Sequence, residues 1–274
     1  MYSKPAWLSA SPSLYVQSDG QSCERFFANF FANARHFVLR ATGGCAGLEE
    51  RYYPGLETLS QVLAGIPQAD QYDTNQSQER QPRFSGFCLF GGTRMILKDA
   101  PQEYLPGITE VFPQLGKHCP EARILGIVAK AGHLKTTPFG VVVADEPDKS
   151  FVTIIHPEQH SVLLLQPNVD SKADWHCEWR RCLDICQAHA SNHWQGLLLV
   201  YNGGPVAEAE LLAWAELGLT NDFYRVLLVQ DSGGCADKYA YSENFLKAHK
   251  NVFTCGNNFR SMQETLLHLQ AISY

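Results

Sequence analysis

A chain of 274 residues with 45% hydrophobic and 18% charged residues can build one large α/β domain, or one domain with a modest extension, and is too apolar for a disordered segment. The formal net charge of −6 argues against broad, charge-driven binding to nucleic acid or to an anionic membrane. No apolar run approaches the roughly 18 residues of a membrane span.

The opening residues are polar and lack the apolar stretch of a signal peptide. Residues 21–64 read as two helical stretches broken at Gly43-Gly44, the first carrying Phe26, Phe27, Phe30 and Phe31 at near-helical spacing. Residues 68–83 are polar and aperiodic, an exposed linker. Together, residues 1–83 form an amino-terminal helical extension and linker, and residues 84–274 the main domain.

From residue 84 strands and helices alternate. FSGFCLF is a short apolar strand ending at Gly91-Gly92-Thr93, followed by a helix through EYLPGITEVFPQLGKH and the strand ARILGIVAK. Three β-rich runs, FGVVVAD, SFVTIIH and SVLLLQP, have no helix between them and predict a hairpin or a local antiparallel extension. The last hundred residues repeat the βα unit through GLLLVYN, RVLLVQD and NVFTCG. Uninterrupted apolar strands between helices imply a Rossmann-like, mainly parallel sheet covered on both faces. The β-rich insertion stands beside it.

In such a sheet ligands bind beyond the carboxyl ends of the strands. Three strands end in glycine pairs: Gly91-Gly92, Gly203-Gly204 and Gly233-Gly234. Glycine permits positive φ and lets a ligand approach the backbone, and a following helix aims unpaired amides at the same place. The same turns also serve as plain tight βα connections. Neither the spaced dinucleotide fingerprint nor the P-loop is present.

The set FGGTRMI (90–96), VYNGGPVAEAELLAWAELGL (200–219) and VLLVQDSGGCAD (226–237) resembles the SLOG superfamily of Rossmann-like nucleotide-binding domains. The branch it looks most like is LSDAT, the bacterial relatives of the amino-terminal region of melastatin-type TRP channels. The resemblance covers about residues 84–270. It implies a sensor of a nucleotide-derived, ADP-ribose-like ligand, reporting to an effector protein. On it, Gly91, Gly92, Thr93, Asn202, Gly203, Gly204, Ser232, Gly233 and Gly234 would line the pocket. Arg94 is the best placed of the basic residues, which include Lys98, Lys130, His133 and Lys135, to meet a phosphate. Asp237 would bind a ribose or cap its helix. A second SLOG branch, the Lonely-guy type, cleaves nucleoside monophosphates at the N-glycosidic bond. On that reading Glu208 or Glu210 would stabilise the ribosyl centre, although NGGPVAEAE lacks the proline, later glycine and threonine of that branch's turn.

No cofactor or metal is predicted. Cys182 and Cys186 share a helix face, but with His176 and Cys177 they form no paired metal knuckle, and an apolar buried face explains them. The nucleophile elbow G-x-S-x-G is missing. Nine cysteines without framework spacing, several inside apolar runs, read as buried free thiols in a reducing cytoplasm. The aromatic amino-terminal helix would pack on the core or make a homo-oligomer contact.

Overall fold

The computed structural model describes residues 13–18, 35–44, 48–67, 81–119, 121–129, 134–145, 147–156, 161–166, 175–190 and 193–274. Its centre is a parallel sheet. Across the sheet the strands run Ser13–Ser18, Ser161–Gln166, Arg123–Ala129, Phe87–Gly91, Phe37–Gly43, Gln195–Tyr201, Tyr224–Val229 and Val252–Cys255. Every neighbouring pair is parallel. Numbered along the chain from Phe37, the six strands from Arg123–Ala129 to Val252–Cys255 stand in the order 3-2-1-4-5-6 of Rossmann-like doubly wound α/β folds. Ser161–Gln166 and Ser13–Ser18 extend one edge.

The sheet is buried on both faces because its strands are apolar at successive positions. Leu197, Leu199 and Tyr201 point to one side, where helices Tyr53–Ala64, Val111–His118 and Phe259–His268 cover them. Leu198 and Val200 point to the other, under helices Trp175–His189, Pro205–Leu217 and Gly234–Ala240. Trp214, fully buried against Phe223 and Tyr224, anchors this second layer. Among the described residues no helix is long and apolar enough to cross a membrane.

A second, antiparallel sheet stands beside the first, in the order Tyr104–Leu105, Thr93–Leu97, Phe151–Ile155, Gly140–Ala144, Lys135–Thr137. Gly92 joins the two sheets. Its N–H donates to the Ile127 carbonyl of the parallel sheet at 3.0 Å, and its own carbonyl accepts from His156 N–H at 2.9 Å.

Three expectations are corrected. Phe37–Gly43, read as the end of a helix, is a strand at the centre of the sheet, in register with Gln195–Tyr201 from Phe37 opposite Gln195 to Gly43 opposite Tyr201. Its Leu, Arg and Ala suit a helix, but a slot between two strands, buried on both faces, overrides local propensity. A boundary at residue 83 therefore cuts through one sheet: among the described residues the helical extension is the 3-10 turn Glu50–Tyr52 and helix Tyr53–Ala64, which packs on the common core. Second, the three β-rich runs divide between the sheets, since Ser161–Gln166 joins the parallel one. Third, Gly91-Gly92 leads into the strand Thr93–Leu97 with no helix directly after it. Phe26, Phe27, Phe30 and Phe31, and residues 68–80 of the linker, lie outside the described residues.

Candidate functional site

The strands Phe37–Gly43 and Gln195–Tyr201 are neighbours whose following segments leave in opposite directions along the sheet, so a crevice opens between their carboxyl ends. Three glycine-containing strand ends meet near it, and they are built differently.

The Asn202 and Ser232 turns lock onto each other. Asn202, at φ 62°, donates from Nδ2 to the Ser232 carbonyl at 2.8 Å, and its Oδ1 accepts from Gly203 N–H at 2.7 Å. The buried Ser232 hydroxyl accepts from Asn202 N–H at 2.8 Å and donates to the Val229 carbonyl at 2.7 Å. The first amides of helix Gly234–Ala240 serve the neighbouring turn, Cys235 N–H going to Gly203 O at 2.8 Å and Ala236 N–H to Asn202 O at 3.0 Å. Asp237 reaches back to accept from Gly233 N–H at 3.0 Å and Ser232 N–H at 3.3 Å, which makes it a cap of its own helix. Gly234, at φ 58°, must be glycine, because a Cβ there would collide with the Gly203 carbonyl.

The neighbouring helix start is different. Helix Pro205–Leu217 opens with its first backbone bond from Glu208 N–H to Gly204 O at 2.9 Å. Pro205 has no N–H, and the amides of Val206 and Ala207 have no partner inside the helix. Both residues line a cavity of about 200 Å³. Its floor is the strand end from Arg40 to Gly43, and its sides come from Gly91, Thr93 and Met95, from Ile108 and Thr109, and from Trp175, Glu178 and Trp179.

Arg40 is the centre of this cavity. Its side chain, on the same face as Val38 and Thr42 and opposite Leu39 and Ala41, points from the strand toward the second helix layer and is almost fully buried. Nε donates to Glu210 Oε1 at 2.7 Å and Nη2 to Glu210 Oε2 at 3.0 Å, a bidentate pair, and Nη2 reaches Glu178 Oε1 at 3.3 Å. Nη1 is buried with no hydrogen-bond partner among the described residues. Burial works against the guanidinium charge, yet the hydrogen-bonded Glu210 carboxylate and Glu178 beside it raise its pKa. Burial pushes the Glu178 carboxyl up to about 7, with Arg40 opposing and Glu210 adding to the rise. Gly91 makes room for Glu178, since a Cβ would lie 2.7 Å from its Oε1.

Of the residues singled out in the sequence, Gly91, Thr93 and Glu210 line the cavity. Gly92 serves the junction between sheets, and Asn202, Gly203, Ser232, Gly233, Gly234 and Asp237 form the interlocked turns. Gly204 is exposed at the helix start. Arg94 faces elsewhere, held bidentately by Glu110 at 3.0 and 2.7 Å over the ring of Tyr104. Burial would raise the Glu110 pKa, but hydrogen bonds from His156 and Arg94 lower it. Glu208 lies on the outer face, where hydrogen bonds from Lys238 and Tyr239 lower its pKa. Lys98 pairs with Asp145, Lys135 is exposed on the small sheet, and Lys130 and His133 lie outside the described residues.

Arg40, Glu178, Trp175 and Trp179 were missed. Arg40 had a signal, a lone charge inside the apolar run FVLRA, which a strand reading turns into a buried cation in need of partners. Cys182 and Cys186 are buried one to two turns beyond Glu178, as an apolar face requires, while Cys177 is exposed. No protein-family model and no curated protein sequence matches the chain.

Proposed function

We propose that this protein binds a nucleotide-derived small molecule, ADP-ribose-like or otherwise phosphorylated, at the switch point between Phe37–Gly43 and Gln195–Tyr201, and that it acts as a sensor whose output passes to a partner protein. The observation that carries the reading is one cavity bordered by two kinds of donor with no partner among the described residues, Arg40 Nη1 and the amides of Val206 and Ala207. Helix-terminal amides attract phosphate oxygens, and a buried guanidinium with a donor to spare asks for an acceptor. The likeness of residues 84–270 to the SLOG superfamily and its LSDAT branch points the same way. Six buried free thiols among the described residues suit a reducing compartment, and we propose that this activity belongs to the cytoplasm.

The test is a thermal-shift screen of AMP, ADP-ribose, cyclic ADP-ribose and NAD, with chromatography of each mixture. A ligand at about 100 times its dissociation constant should add about 2.7 kcal/mol of stability. No shift with any of these would remove the reading.

A second reading is favoured by the two carboxyl groups in the cavity. Glu178 at about 7 stands ready to give a proton, and Glu210 is held by Arg40. That division suits a nucleotide N-glycosidase, with Glu178 in the place the sequence offered to Glu208. Free base and ribose phosphate in the chromatogram would select it over sensing.

A further inference from the structure

The cavity and the helix start beside it differ in the charge they tolerate. On the cavity floor one guanidinium faces two carboxyl groups, with Arg40 2% exposed and Glu210 fully buried. No other Arg, Lys or His lines the cavity among the described residues. A phosphate placed there would sit against Glu178 and Glu210 with only one cation, already shared, to offset it. The volume of about 200 Å³ also falls below the roughly 300–1,000 Å³ of pockets that enclose a whole drug-sized ligand, so only part of a nucleotide enters.

The walls suit a flat ring. Trp175 and Trp179 stand one helical turn apart on the same helix, with Glu178 between them, and Met95 and Ile108 add apolar surface. Rings stack on such side chains without regard to substituents, and polar groups at the floor then read the ring edge.

Resting on the nucleotide reading above, we propose that this cavity is the base subsite. It takes an uncharged, planar nitrogen heterocycle against Trp175 and Trp179, with a ring acceptor meeting Arg40 Nη1 and the ring edge meeting the Glu178 carboxyl. The sugar and phosphate then stay outside, at the start of helix Pro205–Leu217 beside the exposed Gly204. A carboxyl near its midpoint at neutral pH can either donate to a ring nitrogen or accept from an exocyclic amine, so both faces of base chemistry are available to Glu178.

The experiment compares AMP, GMP and ADP-ribose with ribose 5-phosphate, by calorimetry and tryptophan fluorescence, on the wild-type chain, Trp179→Ala and Glu178→Gln. Melting curves verify that each variant folds, and Trp175→Phe replaces Trp179→Ala if the latter does not. The base subsite predicts quenching by the nucleotides but not by ribose 5-phosphate. Nucleotide affinity should drop about tenfold or more in Trp179→Ala, with ribose 5-phosphate binding unchanged. If both variants bind the nucleotides as tightly as the wild type, the base lies elsewhere and the inference falls while the sensor reading stands. If ribose 5-phosphate binds as tightly as AMP and loses affinity in Glu178→Gln, the phosphate occupies the cavity, and the inference is again overturned. If no probe binds the wild type, both proposals fall together.

Discussion

Two neighbouring strand ends make opposite use of their polar groups. At residues 202–203 and 232–237 almost every donor finds an acceptor within the turns themselves: Asn202 and Ser232 exchange hydrogen bonds, Asp237 takes two amides, and a helix start is consumed by the carbonyls of 202 and 203. On the adjacent strand Arg40 keeps a buried donor with no partner among the described residues, and beside it the helix start at Val206 and Ala207, just past the first turn, is left open. A glycine-rich turn is therefore not by itself a ligand site. The first region holds the carboxyl edge of the sheet in shape, and the second, with groups left unsatisfied, is where a ligand would gain most.

The sharpest way to break this comparison is to remove one half of the buried ion pair. Glu210→Ala should destabilise the fold by about 3–5 kcal/mol in urea denaturation, because it leaves the Arg40 charge buried beside Glu178 alone. Replacing both, as Arg40→Met with Glu210→Leu, should recover most of that loss. A single-variant loss below about 1 kcal/mol would mean that the pair is solvated and the contrast unfounded. The two kinds of turn are probed by alanine at two glycines, Gly234 in the interlocked turns and Gly204 at the open helix start. Gly234→Ala should lose about 1–3 kcal/mol, since its φ of 58° and the Gly203 carbonyl both oppose a side chain. Gly204→Ala, with φ −97° and open space around the new Cβ, should change stability by no more than about 0.5 kcal/mol. Equal effects at the two would erase the distinction between the regions. Next, Asp237→Ala should lose about 1 kcal/mol through its capping bonds while leaving nucleotide affinity unchanged; a loss of affinity would bring the second turn back into the site.

The smallest effect is a slope. Burial lifts Glu178 from an ordinary 4.5 to about 7, so the folded chain holds its proton more tightly than the unfolded one. The stabilisation this gives is complete below about 4.5 and is lost as pH rises through about 7. Denaturation curves between those values should show stability falling with pH, and Glu178→Gln should flatten that part of the profile. An unchanged slope in the variant would move the titration to another group.

The alternation from residue 195 onward was legible because GLLLVY and YRVLLV are apolar at successive positions and separated by helices, a pattern with few other solutions. The strand at Phe37 was not, because Leu39, Arg40 and Ala41 follow helix preferences and its two partners in the sheet begin at Phe87 and Gln195. The site divides the same way. Gly91, Thr93 and Glu210 could be reached from local pattern, as members of strand-end motifs. Glu178, Trp175 and Trp179 belong to a helix whose sequence reads as an ordinary amphipathic one; their meaning comes from a cation 138 residues earlier. Arg94 misled because it follows a glycine pair directly, while its strand turns it into the small sheet toward Glu110.

The bidentate bond between Arg40 and Glu210 joins residues 170 positions apart, and this has a consequence for the order of assembly. During synthesis the Phe37–Gly43 strand emerges long before the strand that pairs with its far side and before the carboxylate that accepts its charge. A half-made chain would have to sequester an arginine among leucines with its main counter-ion still untranslated. Collapse of the first half into a native-like unit is thus discouraged, and the central strand is held for its late partner. The closing contact is of high sequence separation, so refolding should be slow.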